Sequence, residues 1–266
     1  MPKSAKKKTS AKAIASTLAS LKGLSNRPGL PAGDSVIGVT TPTNKFTIIH
    51  TKELDVYEQG AMGPGLAPAA AAAAPPGDNF GGTARKAAKL SISTAKTENF
   101  ADVKALIKTL PAESKMIHHT PPIGTGATSK RVKEEERNVH VTAFMYAASR
   151  EADNDFHLII GLGPTVTPDM YMTMELSGLP PAGSASFAKL KAARDAFKKF
   201  FKDIGAQSPG TTYDFYHPPI PVQIDGSLFF DMSHASGGRP GPPSLKSRMP
   251  VIFEVHPITK IVLKKP

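Results

Sequence analysis

Hydrophobic and polar positions alternate regularly in the second half of the chain and only in patches in the first. From residue 138, "NVHVTAFMYAAS" alternates and is β-prone, which predicts a first strand over 138–148. "DFHLIIGL" predicts a second strand, entered through "READN", whose Asp and Asn favour a tight reversal. "YMTMELS" predicts a third. The period then changes. In "SASFAKLKAARDAFKKFFKDIG", Phe187, Leu190, Ala193, Phe197, Phe201 and Ile204 recur at helical spacing, with Ser184 as the expected N-cap and Gly205 as the stop. "PVQIDGSLFFD" predicts a fourth strand, curved tightly at Gly226, and "VIFEVHPITKIVL" a fifth, bent at Pro257.

Three strands, a helix and two more strands spell a mainly β domain over 138–266. The order is that of a five-stranded OB-like Greek-key barrel, with its helix between strands 3 and 4. SH3-like barrels and small β-sandwiches with an inserted helix remain alternatives. Ahead of this domain the pattern thins. Residues 1–35 are expected to form a disordered basic arm. Residues 36–59 form a short β-like segment with runs at 35–40 and 45–51. Residues 60–96, which include "GAMGPGLAPAAAAAAPPGDNFGG", read as a low-complexity Ala/Pro/Gly linker. Residues 97–137 lead into the barrel. They hold a helix at 97–109, where Phe100, Val103, Leu106 and Ile107 share a face.

Composition sharpens this picture. The 266 residues contain no cysteine, which removes disulfides, thiolate metal sites and cysteine nucleophiles. No apolar run reaches the ~18 residues that a membrane span needs, and "AIASTLASL" is too short and too rich in Ser and Thr for a secretory signal. A cytoplasmic location is the expectation. The net charge is +11, and seven of the basic residues precede Asp34 with no acid among them. Lys6, Lys7 and Lys8 on this arm, with Arg239, Lys246 and Arg248 in the loop between strands 4 and 5, are candidates to bind nucleic acid or another polyanion. In an OB barrel that loop grips the ligand, and Tyr146, Tyr171, Tyr213 and Tyr216 are available for stacking. "TTYDFYHPPIP" reads as an exposed aromatic loop.

The strands also carry residues that a core does not require. Strand alternation sends Phe156, Leu158 and Ile160 to one face and Asp155 and His157 to the other. Glu175 opposes Met172, Met174 and Leu176. Glu254 and His256 oppose Phe253 and Val255, Asp231 opposes Phe230, and His234 follows just past the strand end. Imidazole and carboxylate are ligands for a borderline or hard divalent ion, so His157, Glu175, Asp231, His234, Glu254 and His256 form a candidate metal set. A divalent metal ion is the one cofactor these residues suggest. Asp155, His157, Glu175 and His256 are the candidates for acid–base catalysis. The same residues on the wet outer face of a small barrel would be ordinary surface charges, each pair worth ~0–1 kcal/mol.

The series "READNDFHLIIG", "MELSGLP", "SLFFDMSH" and "FEVHPITKI" resembles a group of uncharacterised bacterial small-barrel proteins. Their pattern runs Asp-aromatic-His, Glu, Phe-Asp-x-x-His and Glu-x-His-Pro. The resemblance covers about 138–263 and groups Asp155, His157, Glu175, Asp231, His234, Glu254 and His256 as one set, but it brings no activity with it. Three functions follow as expectations: a barrel that binds nucleic acid or another polyanion, a His/acid or divalent-metal-dependent hydrolase such as a nuclease, and a surface-tethered interaction module.

Overall fold

The computed structural model describes residues 29–43, 45–55, 77–235, 239–245 and 248–265. The expected arm residues Lys6, Lys7 and Lys8, loop residue Lys246 and residues 60–76 of the Ala/Pro/Gly linker lie outside them. Eight strands are present among the described residues: β1 (Val36–Thr43), β2 (Phe46–Thr51), β3 (Thr97–Phe100), β4 (Asn138–Arg150), β5 (Phe156–Gly161), β6 (Tyr171–Leu176), β7 (Asp214–Phe230) and β8 (Phe253–Leu263). They form one mixed sheet in the order β1-β2-β7-β8-β6-β5-β4-β3. β7 also pairs with β4, which turns β4, β5, β6, β8 and β7 back on themselves as a partial ring. The ring is thinnest where β6 meets β8, a parallel step with the single pair Met174↔Val255.

The mainly β class holds, but the five-stranded OB-like barrel does not. The sheet has eight strands because the weakly patterned first half contributes three. β1 and β2 form an antiparallel hairpin, and β2 continues the sheet by pairing Thr47–His50 with Asp214–His217. That pairing is possible because β7 starts at Asp214, seven residues before the strand expected from the sequence. Tyr213, Phe215 and Tyr216 are accordingly buried core residues and not an exposed aromatic loop. The helix expected over 97–109 is divided. Thr97–Phe100 is an edge strand parallel to β4, and only Val103–Ile107 (α2) is helical. Asp102 sets that start by accepting a hydrogen bond from the Ala105 N–H at 2.7 Å, an N-cap that leaves the preceding residues free to extend.

The described part of the expected linker, 77–96, is packed and not loose. It carries the short helix α1 (Lys86–Lys89), and Ala88 and the Arg85 side chain are buried. Arg85 makes a two-pronged ion pair with Glu135 at 2.6 and 2.7 Å, which pins the segment to the sheet. A further helix, α3 (Glu113–Ile117), precedes β4. The long helix α4 (Phe187–Asp203) begins after Ser186 and not Ser184; the Ser186 hydroxyl donates to the Leu90 carbonyl at 2.6 Å and makes no capping hydrogen bond. Its apolar stripe closes the core, with the rings of Phe156 and Phe197 5.0 Å apart. Gly205, at φ +73°, ends it as expected. Gly226 sits at the irregularity in the β7–β8 register, where an added Cβ would lie 2.5 Å from both the Pro257 carbonyl oxygen and Val255 Cγ1. Among the described residues, no helix is long and apolar enough to cross a membrane.

Candidate metal centre

The sheet register decides which polar residues meet. β5 and β6 are antiparallel with His157 opposite Glu175. The parallel step from β6 to β8 brings Glu254 and His256 alongside, one residue either side of Val255. Phe156, Leu158, Met172, Met174, Leu176, Phe253 and Val255 all enter the main core on one face, so period-2 alternation sends His157, Glu175, Glu254 and His256 to the other. This second face is not a wet outer surface. Asp55 at the end of the first hairpin, the α1 segment and the turn after β7 cover it. His256 is 0% exposed, Asp155 and Glu254 1%, and His157 3%. Both faces of β5 and β6 are therefore buried along their full length.

Glu175 is the hub. Its Oε1 lies 3.1 Å from His157 Nε2 and its Oε2 2.7 Å from His256 Nδ1. His256 Nε2 is 3.4 Å from Asp155 Oδ2, and the other oxygen of Asp155 accepts the Gly178 N–H at 2.6 Å. His157 is held on its opposite edge, where Nδ1 is 3.0 Å from Asp55 Oδ2 and 2.8 Å from the Tyr213 hydroxyl. Asp55 is itself fixed by the Gly241 N–H at 2.8 Å. At the rim, Asp231 accepts from Ser233 N–H and pairs tightly with His234 Nδ1, while His234 Nε2 faces Asp55 at 3.8 Å. The Lys89 ammonium completes the cluster, 3.6 Å from Asp153, 3.7 Å from Asp155 and 3.9 Å from Glu175.

Glu254 is different. Among the described residues neither of its carboxylate oxygens has a hydrogen-bond partner, although both are sealed from solvent. The His256 Nδ1 lies 3.6 Å from its Oε2. An uncompensated buried carboxylate costs several kcal/mol, so burial, together with the charges of Glu175 and Asp231, holds its pKa well above the usual carboxylate value. Burial likewise raises Asp155, helped by Asp153. Burial would also raise Glu175, but His256, Lys89 and His157 outweigh it and keep that carboxyl well below its usual range. For Lys89 and His157 burial opposes the charge, yet their acidic neighbours, Glu175 first, hold both well above their ordinary values. His256, with burial dominant, is pushed down. Acids outnumber cations here, and Glu254 and Asp155 are the carboxyls that burial and like charge push toward the neutral form.

Three donor sets are compact enough for one cation each: Asp155/Glu175/His256, His157/Glu175/Glu254 and Asp231/His234/Glu254, each with its ligand atoms within 4.8 Å. Donors about 2.1 Å from an ion span up to about 4.2 Å, so only a slight contraction is needed. Asp55 beyond His157 is the outer carboxylate that commonly orients a ligating imidazole. A pocket of about 270 Å³ opens onto the cluster, with Asp55, Lys89, His157, Glu175, Asp231 and His234 in its wall. A cation in the wall would keep a position open to solvent or substrate, the requirement for a catalytic site as opposed to a purely structural one.

The six acid and imidazole residues marked out by strand alternation, and His234 just past a strand end, thus come together. The proposed nucleic-acid residues do not. Arg239 is ion-paired with Glu113, and Arg248 donates to Asp169 at 2.6 Å. The described part of the loop that carries them is held down by Ser244 to Glu53 and by the buried Leu245 and Met249. Tyr146, Tyr171, Tyr213 and Tyr216 are all buried and offer no stacking face. Strand periodicity could not find Asp55, Lys89 or Tyr213, because each lies outside a strand. The one available signal was acidic and basic residues in "KELD" and "ARKAAKL" beside otherwise apolar neighbours. No family model matches the chain, and neither a curated protein nor a solved structure does so.

Proposed function

We propose that this protein is a divalent-metal-dependent hydrolase whose metal is held by His157, Glu175, Glu254 and the Asp231–His234 pair. The observation that carries the reading is Glu254: a fully buried carboxylate with both oxygens unpartnered, aimed among imidazoles that are themselves fixed by outer carboxylates. A divalent cation is the partner that would relieve it. An ion there would polarise a substrate oxygen and lower the pKa of a bound water, generating the nucleophile at neutral pH. Lys89, at the same pocket, would counter negative charge building on the substrate.

A phosphoester fits this chemistry, and a second cavity favours an anionic substrate. On the other side of α1 lies a groove of about 1110 Å³ whose wall includes Lys86, Lys130, Lys189, Ser93, Thr128 and Asn138 and no carboxylate. None of these three lysines has an acidic partner among the described residues. The polyanion affinity expected from the charge would reside there, and not on Arg239 and Arg248. The test is hydrolysis of a generic phosphodiester such as bis(p-nitrophenyl) phosphate by chelator-stripped protein, with and without Mn²⁺, Zn²⁺ or Mg²⁺. Turnover that depends on added cation and disappears in His157→Ala supports the reading. Binding of cation with no turnover on any phosphoester would leave a metal-binding protein and remove the hydrolase.

A further inference from the structure

We infer that the centre binds two divalent cations and that Glu254 is the carboxylate bridging them. The inference rests on the metal-centre reading and specifies its nuclearity. The three compact donor sets are not independent: the first two share Glu175, and the second and third share Glu254. Three sets linked in this way form a chain of positions, and a carboxylate offers one oxygen to each of two ions.

Lys89 decides which two positions are used. Its ammonium lies within 3.9 Å of Asp155 and Glu175, so the innermost set already contains a positive charge supplied by the chain. A divalent ion there would meet a fixed like charge. Lys89 reaches two members of that innermost set, only Glu175 of His157/Glu175/Glu254 and, among the described residues, none of Asp231/His234/Glu254 at ion-pair distance; these last two sets meet at Glu254. Its state agrees with this. Every other carboxylate of these sets is held by a hydrogen bond or a close ion pair: Glu175 between two imidazoles, Asp155 by Gly178 and Asp231 by Ser233 and His234. Among the described residues, Glu254 is the carboxylate of these sets with both oxygens sealed from solvent and without a hydrogen-bond partner, at 1% exposure. Ions sharing a carboxylate typically sit about 3.5–4 Å apart, the spacing that lets one ion activate water while the other steadies the leaving oxygen.

The full chain, stripped with chelator and dialysed against Mn²⁺ alone, is measured by elemental analysis and by low-temperature electron paramagnetic resonance. Two Mn²⁺ per chain with an exchange-coupled spectrum is the expected result. One ion per chain would overturn the bridge but keep the single-ion centre. No bound ion would overturn both. Two ions with uncoupled spectra would retain the stoichiometry and refute the role of Glu254. Glu254→Gln keeps the side-chain shape and is expected to bind at most one ion, with no coupling. Retention of a coupled pair in this variant would refute the inference. If the variant does not fold, the spectrum of the unmodified chain still decides.

Discussion

Glu175 and His256 stand 2.7 Å apart on neighbouring strands that run parallel, joined through a single backbone pair at Met174 and Val255. This narrow step sets the middle of the candidate centre, because Glu175 reaches His157 on one side and His256 on the other. The strands meet where the ring is weakest in backbone hydrogen bonds, and the side-chain charges bind across it.

Glu175→Gln removes the charge facing His157, His256 and Lys89 while retaining size. Loss of one partner from a buried ionic network typically costs about 3–5 kcal/mol, since the remaining charges stay buried. Urea unfolding of the metal-free protein should show a loss of that order. A change under about 1 kcal/mol would mean that the cluster is solvated and the ion pairs are weak.

The metal-free protein should lose thermal stability as pH rises from about 6.5 to 9. His234 is buried, which disfavours its charge, but Asp231 and Asp55 overcome this and raise its pKa from 6.5 to about 9. His157 is raised in the same direction. A group with a raised folded pKa stabilises fully below its unfolded value and ceases to do so as pH passes its folded one. For His234 alone the shift corresponds to at most on the order of 3 kcal/mol. Asp155 and Glu254, also raised, act with the same sign. Divalent cation binding requires deprotonated ligands, so its stabilising effect should grow over the same window. Melting temperatures from pH 6 to 9, with and without Mn²⁺, measure both slopes. A flat metal-free profile would contradict the burial of these imidazoles.

The sequence showed part of this site and hid the rest for definable reasons. Alternation in "DFHLIIG" and "FEVHP" placed Asp155, His157, Glu254 and His256 on one face, because side-chain direction in a strand follows from period 2 alone. It could not show that the face is covered. A strand buried on both sides usually reads as a continuous apolar run, and here imidazoles and carboxylates take the second face, so β5 and β8 look half-exposed. The cover comes from Asp55 and Lys89, more than 60 residues upstream of their partners, the first past the end of β2 and the second on a helix of four residues. The Pro- and Gly-rich surroundings of "ARKAAKL" masked a helix held by the Arg85–Glu135 pair and not by its own propensity.

Gly226→Ala tests the closure of the sheet. The new methyl would press on Pro257 and Val255 at 2.5 Å, well inside contact distance, at the point where β7 and β8 shift register. Overpacking of this kind costs about 1–3 kcal/mol. A lower urea midpoint with an unchanged m-value is expected. An unaltered midpoint would place β8 further from β7 than described.

The lysine groove makes a separate claim. Replacing Lys86, Lys130 and Lys189 together with Gln should weaken binding of single-stranded DNA or polyphosphate and flatten its salt dependence by about 2–3 in log–log slope, at about 0.7–0.9 per phosphate contact. Thermal stability should change little, since none of the three is paired with an acid among the described residues. Fluorescence anisotropy at several salt concentrations reads this directly. An unchanged slope would move the polyanion site elsewhere.

The central claim is that the buried second face of β5, β6 and β8 is a place for divalent cations. Anomalous diffraction from Mn²⁺-soaked crystals tests it most directly. Strong anomalous peaks are expected about 2–2.5 Å from donors of His157, Glu254 and His234. Peaks confined to surface carboxylates, with the interior of the cluster empty at saturating Mn²⁺, would contradict it.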